Sequence, residues 1–293
     1  MDGTISQSKG IDYQTCRYGS SKIMFRGPAR KLRGDYIAFL GGSETFGRFI
    51  PTPFPDLIEQ RTGVTAVNLG CIDAGLDCYA ASHDLLEICS NATATVIQIL
   101  GATNMSNRFY TVDQRHSDRF LRASRQFKEI YPEIDFSTFT LINEMLAKLG
   151  QTDPDRLHRL RQEIQTAWVA RMRALLRNIE GPKILLWLAD HAPFSLGSGG
   201  TICRMPLFVD RAMLNALNTP ETTFIEVVAT QEDIRKGRER MVFNQQDLQH
   251  VTQILGPSVH DRVAQHIAPI LAKLSPSAEP LAINIFDSEM LAD

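Results

Sequence analysis

"DYIAFLGGSETFG", residues 35–47, sets the frame for the whole chain. Its apolar run, Tyr36 to Leu40, has the character of a strand covered on both faces, and it stops at Gly41 and Gly42. Ser43, Glu44 and Thr45 follow at once, and Gly47 closes the turn. A strand that passes through small residues into a polar turn is the first half of a strand–helix unit. "PFPDLIEQRTG" (53–63) supplies the helix, opened by proline and stopped by Gly63.

Working outward, the unit repeats. "VTAVNLG" (64–70), "TATVIQILG" (93–101), "KILLWLAD" (183–190) and "TTFIEVVAT" (222–230) are further strands, with "LDCYAASHDLLEIC" (76–89) as a helix between the second and third. Residues 152–181 give the clearest helix. Leu157, Leu160, Ile164, Trp168, Met172, Leu175 and Ile179 step by three and four, Asp153 or Thr152 can cap the start, and Pro154 sits in the first turn. "PSVHDRVAQHIAPILAKL" (257–274) closes the domain as a last amphipathic helix. Strand–helix alternation implies an α/β fold: a flavodoxin-like three-layer α/β/α sandwich with a five-stranded parallel sheet and a long helical insertion at about 105–180. The Arg-rich, aromatic stretch 104–126 is expected to begin that insertion as helix. Residues 1–34 are expected to form an N-terminal extension packed on the core, 35–274 a single domain, and 275–293 a tail.

Composition narrows the function classes. The 293-residue chain carries a net charge of −2 with 22% charged residues, which gives no general attraction to nucleic acid or an anionic membrane. Its longest apolar runs, such as "ILLWLA" (184–189), are too short to cross a bilayer. "MDGTISQSKG" at the start lacks the apolar segment of a signal peptide. Five cysteines without a CxxC pair argue against a disulfide framework or a four-cysteine zinc site. The expectation is a cytoplasmic protein with no metal and no cofactor.

Parallel sheets of this type bind ligands beyond the carboxyl ends of their strands. Three distinctive turns lie there: "GGSETFG", "NLGCIDAGLD" and "GATNMSN". The first is not a P-loop, because Arg48 and Phe49 stand where Lys and a magnesium-binding hydroxyl belong. Nor is it a complete G-x-S-x-G elbow, because Thr45 replaces the last glycine.

In order and placement these turns resemble the SGNH (GDSL-type) hydrolases. Gly41-Gly42-Ser43 is similar to that family's first block with Gly42 in place of aspartate, and "GATN" to its third block, with Met105 in place of the aspartate. The resemblance implies Ser43 as nucleophile, with the Ser43 N–H, a glycine N–H after the second strand and the Asn104 amide as the oxyanion hole. The usual spacing of that glycine falls on Asp73; Gly75, directly before the next helix, is the expected donor. The chain also resembles a bacterial domain-of-unknown-function family with an SGNH-like core, through "FRGP", "GGSETFGRF" and "SNRFY".

The base is less plainly written. The SGNH pattern ends in Asp-x-x-His, and "DLQH" offers Asp247 and His250 at that spacing, while His260 stands in the first turn of the last helix. His260 is favoured, with Asp247, His250 and Asp190 as alternative acid–base groups. Arg108, Tyr110, Arg115 and Arg119 are candidates to bind a carbohydrate or anionic substrate. The expected function is a serine esterase or acyltransferase acting on a small-molecule or glycan substrate, or else a non-catalytic module binding a glycan or anionic metabolite. The insertion could also support a homo-oligomer.

Overall fold

The computed structural model describes residues 10–195 and 204–274. In chain order the elements are β1 (Tyr36–Gly41), α1 (Ser43–Phe46), α2 (Phe54–Thr62), β2 (Thr65–Gly70), α3 (Asp77–Ala80), α4 (His83–Ser90), β3 (Ala94–Gln98), β4 (Tyr110–Val112), β5 (Phe120–Ala123), α5 (Arg125–Ile130), α6 (Ile142–Thr152), α7 (Pro154–Arg177), β6 (Lys183–Ala189), α8 (Arg211–Asn215), β7 (Thr222–Val228), α9 (Gln231–Lys236), α10 (Leu248–Val251) and α11 (Pro257–Leu274).

Strands β2-β1-β3-β6-β7 form one parallel sheet, the flavodoxin-like order expected for this fold class. Successive side chains of a strand point to opposite faces, and the core divides accordingly. Ile37, Phe39, Val96, Ile184 and Leu186 pack with α2 and α11 through Phe54, Ile58, Val263 and Ile267. Ala38, Leu40, Ile97, Leu185 and Trp187 face the other layer, which includes α4 and α7. The apolar stripe of α7 is buried as its three–four spacing requires, and the Asp153 carboxylate caps it through the Arg156 N–H at 2.9 Å. Among the described residues no helix is long and apolar enough to cross a membrane.

The insertion differs from expectation at its start. Of residues 104–126 only the last two are helix: β4 and β5 form a two-stranded antiparallel hairpin, and helix begins at α5. Burial alternates along β4 but not along β5. Tyr110 and Val112 are buried while Thr111 is half-buried, and Phe120 is buried while Leu121 and Arg122 are exposed. Phe109, Tyr110, Phe120, Phe127 and Phe136 then stack as an aromatic cluster that anchors the hairpin. The helix expected at 76–89 is broken into α3 and α4. The N-terminal extension contributes an isolated antiparallel bridge, Cys16 to Phe25. The expected tail lies outside the described residues.

The N-terminal extension packs on the turn that follows Ser43. Arg26 is buried, and its guanidinium donates to the carbonyls of Gly47 and Ile50, both at 2.9 Å, and of Pro51 at 2.7 Å. Three carbonyls that no regular element satisfies are thus held by one charged group. Arg26→Met keeps the aliphatic packing and removes the donors. We expect it to destabilise the fold by about 3 kcal/mol, visible as a lower urea midpoint; an unchanged midpoint would show that water replaces the guanidinium at no cost.

Candidate functional site

Two amides near the carboxyl ends of β2 and β3 hold the Ser43 turn. The Gln98 Oε1 accepts from the Gly42 N–H (3.0 Å), the Thr45 N–H (3.3 Å) and the Thr45 hydroxyl (2.6 Å), and its Nε2 donates to Glu44 Oε2 (3.0 Å). Asn68 donates to the Thr45 carbonyl at 2.8 Å and accepts from the Gly70 N–H at 2.9 Å. The buried Tyr79 hydroxyl joins the ends of β1 and β2 through the Gly41 and Leu69 carbonyls. Ser43 is therefore the first residue of a one-turn helix locked on both sides.

Among the described residues the Ser43 hydroxyl has one hydrogen-bond partner, Asp73. Asp73 donates its backbone N–H to Ser43 Oγ at 3.1 Å, and Ser43 Oγ donates to Asp73 Oδ1 at 3.3 Å. Asp73 has φ +55°, the left-handed region that glycine adopts most readily, at the position where the resemblance places a glycine. Its N–H, rather than that of Gly75, meets the serine oxygen. Gly75 performs a different task. A Cβ there would overlap the carbonyl oxygen of Asn104, so the glycine lets the second and third turns touch. The hairpin closes over them through the Ser117 N–H to the Asp73 carbonyl at 3.0 Å.

The surroundings are acidic. Burial pushes the Glu44 carboxyl above its ordinary value, against the Gln98 bond, and the Asp73 charge adds to the rise. Burial, then Asp73, also raises Asp118, whose Oδ1 is buried without a hydrogen-bond partner. Arg48 is the nearby cation, 3.9 Å from Asp73 Oδ2 and stacked over Phe49. Asn104 is buried at the edge of this group, and its Oδ1 accepts from the Thr103 hydroxyl at 3.1 Å. Among the described residues no three His, Cys, Asp or Glu side chains form a metal-binding group.

The structure brings Ser43, Gly75 and Asn104 into adjoining turns and leaves the other candidates elsewhere. None of the seven histidines hydrogen-bonds to Ser43. His260 is 1% exposed, its Nδ1 accepts from the Phe54 N–H at 3.0 Å and its ring stacks on Phe54. His250 is exposed on α10, and Asp247 accepts from the Asn244 N–H. Asp190 pairs with Arg204 at 2.9 Å beyond β6. Arg108 pairs with Glu163 at 2.7 Å, and Arg115 and Arg119 are exposed around the hairpin. Tyr110 is 1% exposed with its hydroxyl on the Thr103 carbonyl, so it is core and presents no face to a ligand. Gln98, Glu44, Asp73 and Asp118 were missed by the sequence reading. Only Asp73 carried a signal there, as the residue standing where a glycine was expected.

The chain belongs to the family described as a domain of unknown function, DUF6473, whose model matches residues 1–275. No curated protein matches the sequence. Among solved structures, the lipase Lip_vut3 from a goat rumen metagenome aligns over 83% of this chain and 99% of its own, at 12% identity and a TM-score of 0.41.

Burial depresses the His260 imidazole to about 3. The unfolded chain takes up this proton near the ordinary histidine value of about 6.5, so between there and about pH 3 the unfolded state binds more protons. This one group then costs about 1.4 kcal/mol of stability per unit of falling pH. His260→Gln keeps an acceptor for the Phe54 N–H and removes the titration. Urea midpoints from pH 6 to pH 4 are expected to fall less steeply in the variant, and parallel curves would contradict a neutral buried imidazole.

Proposed function

We propose that this is a hydrolase-type centre of SGNH-like descent, an esterase or acyltransferase in which Ser43 is the nucleophile and the Asp73 carboxylate, not an imidazole, takes its proton. The observation that carries the reading is the paired contact of Ser43 Oγ with the Asp73 N–H and Oδ1. As Ser43 Oγ bonds to an ester carbonyl, its proton passes to Asp73 and is then delivered to the leaving alkoxide. The Asn104 amide and the backbone N–H groups of Ser43 and Gly75 are the proposed donors to the oxyanion, supported by the contact between Gly75 and the Asn104 turn. Burial raises the Glu44 and Asp118 carboxyls above their ordinary values beside Asp73. Such a surface disfavours an anionic acyl group and suits a hydroxyl-rich, carbohydrate-like ester.

A second reading has its own observation. The hydroxyl proton rests on a carboxylate, a weaker base than imidazole. This arrangement also fits a non-catalytic module that binds a neutral glycan.

Hydrolysis of short-chain aryl esters and of acetylated sugars separates the two. We expect Ser43→Ala to abolish turnover and Asp73→Asn to lower kcat by about 10²- to 10⁴-fold. His250→Ala should leave the rate unchanged. Equal rates in wild type and Ser43→Ala, with saturable calorimetric binding of a neutral oligosaccharide, would replace the enzyme with the binding module.

A further inference from the structure

The two edges of the parallel sheet are finished differently. On β2 the outward N–H of Ala66 donates to Glu59 Oε2 at 2.7 Å and that of Gly70 to Asn68 Oδ1 at 2.9 Å, so side chains cap that edge. β7 pairs with β6 alone, in unbroken register from Lys183–Thr222 to Ala189–Val228. The bonds from the Lys183 N–H to the Glu221 carbonyl and from the Ala229 N–H to the Ala189 carbonyl turn the odd-numbered residues of β7 toward β6. Phe224, Glu226 and Val228 therefore direct their N–H and C=O groups away from the sheet. Among the described residues these groups have no hydrogen-bond partner. Thr222, Phe224, Glu226 and Val228 are half-buried, whereas β2 is buried from Ala66 onward. The strand, "TTFIEVV", carries no lysine, proline or bulge, the devices that keep an open edge from pairing.

Topology disfavours a cover from the chain's own next segment. Connections that step toward β7, from β2 to β3, β3 to β6 and β6 to β7, use the layer of α4, α7 and α8. The step the other way, β1 to β2, uses the layer of α2. Both obey the right-handed rule for parallel crossovers. α11 packs in the α2 layer, so a strand laid beyond β7 by the chain that follows it would close a left-handed crossover.

We propose that the β7 edge is the interface of a homodimer, in which the β7 strands of two copies pair antiparallel about a twofold axis at Ile225 and join the two sheets into one. In that register Phe224 and Glu226 of each copy exchange backbone hydrogen bonds with Glu226 and Phe224 of the other, and the Val228 N–H meets the Thr222 carbonyl. The Thr222 N–H is already held by the Thr219 carbonyl at 3.1 Å. Charges fit the same register. Arg211 lies over the Phe224 ring, 5.7 Å from its centroid, and pairs with Glu226 of its own chain at 2.6 Å. The axis at Ile225 sets Glu226 of the second copy opposite Phe224, which brings a further carboxylate beside Arg211. An axis at Glu226 would instead set two carboxylates face to face, which cross-strand pairing penalises. On the α11 side Thr223 lies opposite Val227 of the second copy. The pairing is independent of the reaction at Ser43.

The test follows the full chain by sedimentation velocity across a concentration series, with amide hydrogen exchange read at β7. The expected species has twice the 32.8 kDa mass of the chain, with slow exchange at the Phe224, Glu226 and Val228 amides. Thr223 is exposed, so Thr223→Lys spares the fold, as its urea midpoint will show, and sets a cation against Val227 of the other copy. The dimer dissociation constant should rise about tenfold. Under mild oxidation Ile225→Cys should yield a disulfide between two identical β7 peptides. A monomer at every concentration overturns the proposal, and slow exchange of those amides in a monomer would show that the chain covers its own edge. A dimer whose affinity is unchanged in Thr223→Lys, with no such disulfide in Ile225→Cys, uses another surface and overturns it equally.

Discussion

The arrangement depends on one side chain, Gln98. Its carboxamide receives two backbone N–H groups and a hydroxyl from the Ser43 turn and donates to Glu44, all from the last residue of β3. Without it, the Gly42 and Thr45 donors would be buried unpaired beside an apolar sheet, at a cost of about 1–3 kcal/mol each. β1 and β3 are neighbours in the sheet, and the chain departs from their ends in different directions. A parallel sheet opens a crevice at such a point, and Gln98 fixes the Ser43 turn beside it.

Around that anchor the three turns constrain one another. Asn68 grips the Ser43 turn from β2, the Asp73 N–H meets the serine oxygen, and Gly75 lies against the Asn104 carbonyl. Arg26 closes the assembly from outside by binding the carbonyls after α1. These polar contacts are largely buried, where satisfied groups stiffen a structure and unsatisfied ones are costly. The same burial acts on the neighbouring acids. Burial raises the Glu44 and Asp118 carboxyls, and the Asp73 charge adds to both shifts.

Much of the fold was legible in the sequence, because the sheet strands are apolar runs bounded by glycines and α7 carries an uninterrupted stripe from Leu157 to Leu175. The hairpin was not, because three-residue β4 and four-residue β5 are too short to show alternation among the arginines. At the site, the order of Ser43, Gly75 and Asn104 was visible, since each follows a strand. Gln98 was hidden inside "TVIQIL", where a polar residue in an apolar strand gives no hint of its target. Asp73 stood out only as a misfit, and its positive φ supplies the reason: the turn needs that backbone conformation, and the side chain it carries reaches Ser43. The histidines misled, because spacing such as Asp247 to His250 says nothing about distance to a residue some two hundred positions away.

The central claim is that Ser43 is an activated hydroxyl whose reactivity comes from Asp73. Mass-spectrometric mapping after exposure of the folded protein to a fluorophosphonate tests it most directly. The account predicts a single phosphonyl adduct on Ser43 in the wild type and a strongly slowed reaction at that residue in Asp73→Asn. An unmodified Ser43 in folded wild type, or equal labelling in both proteins, would contradict it.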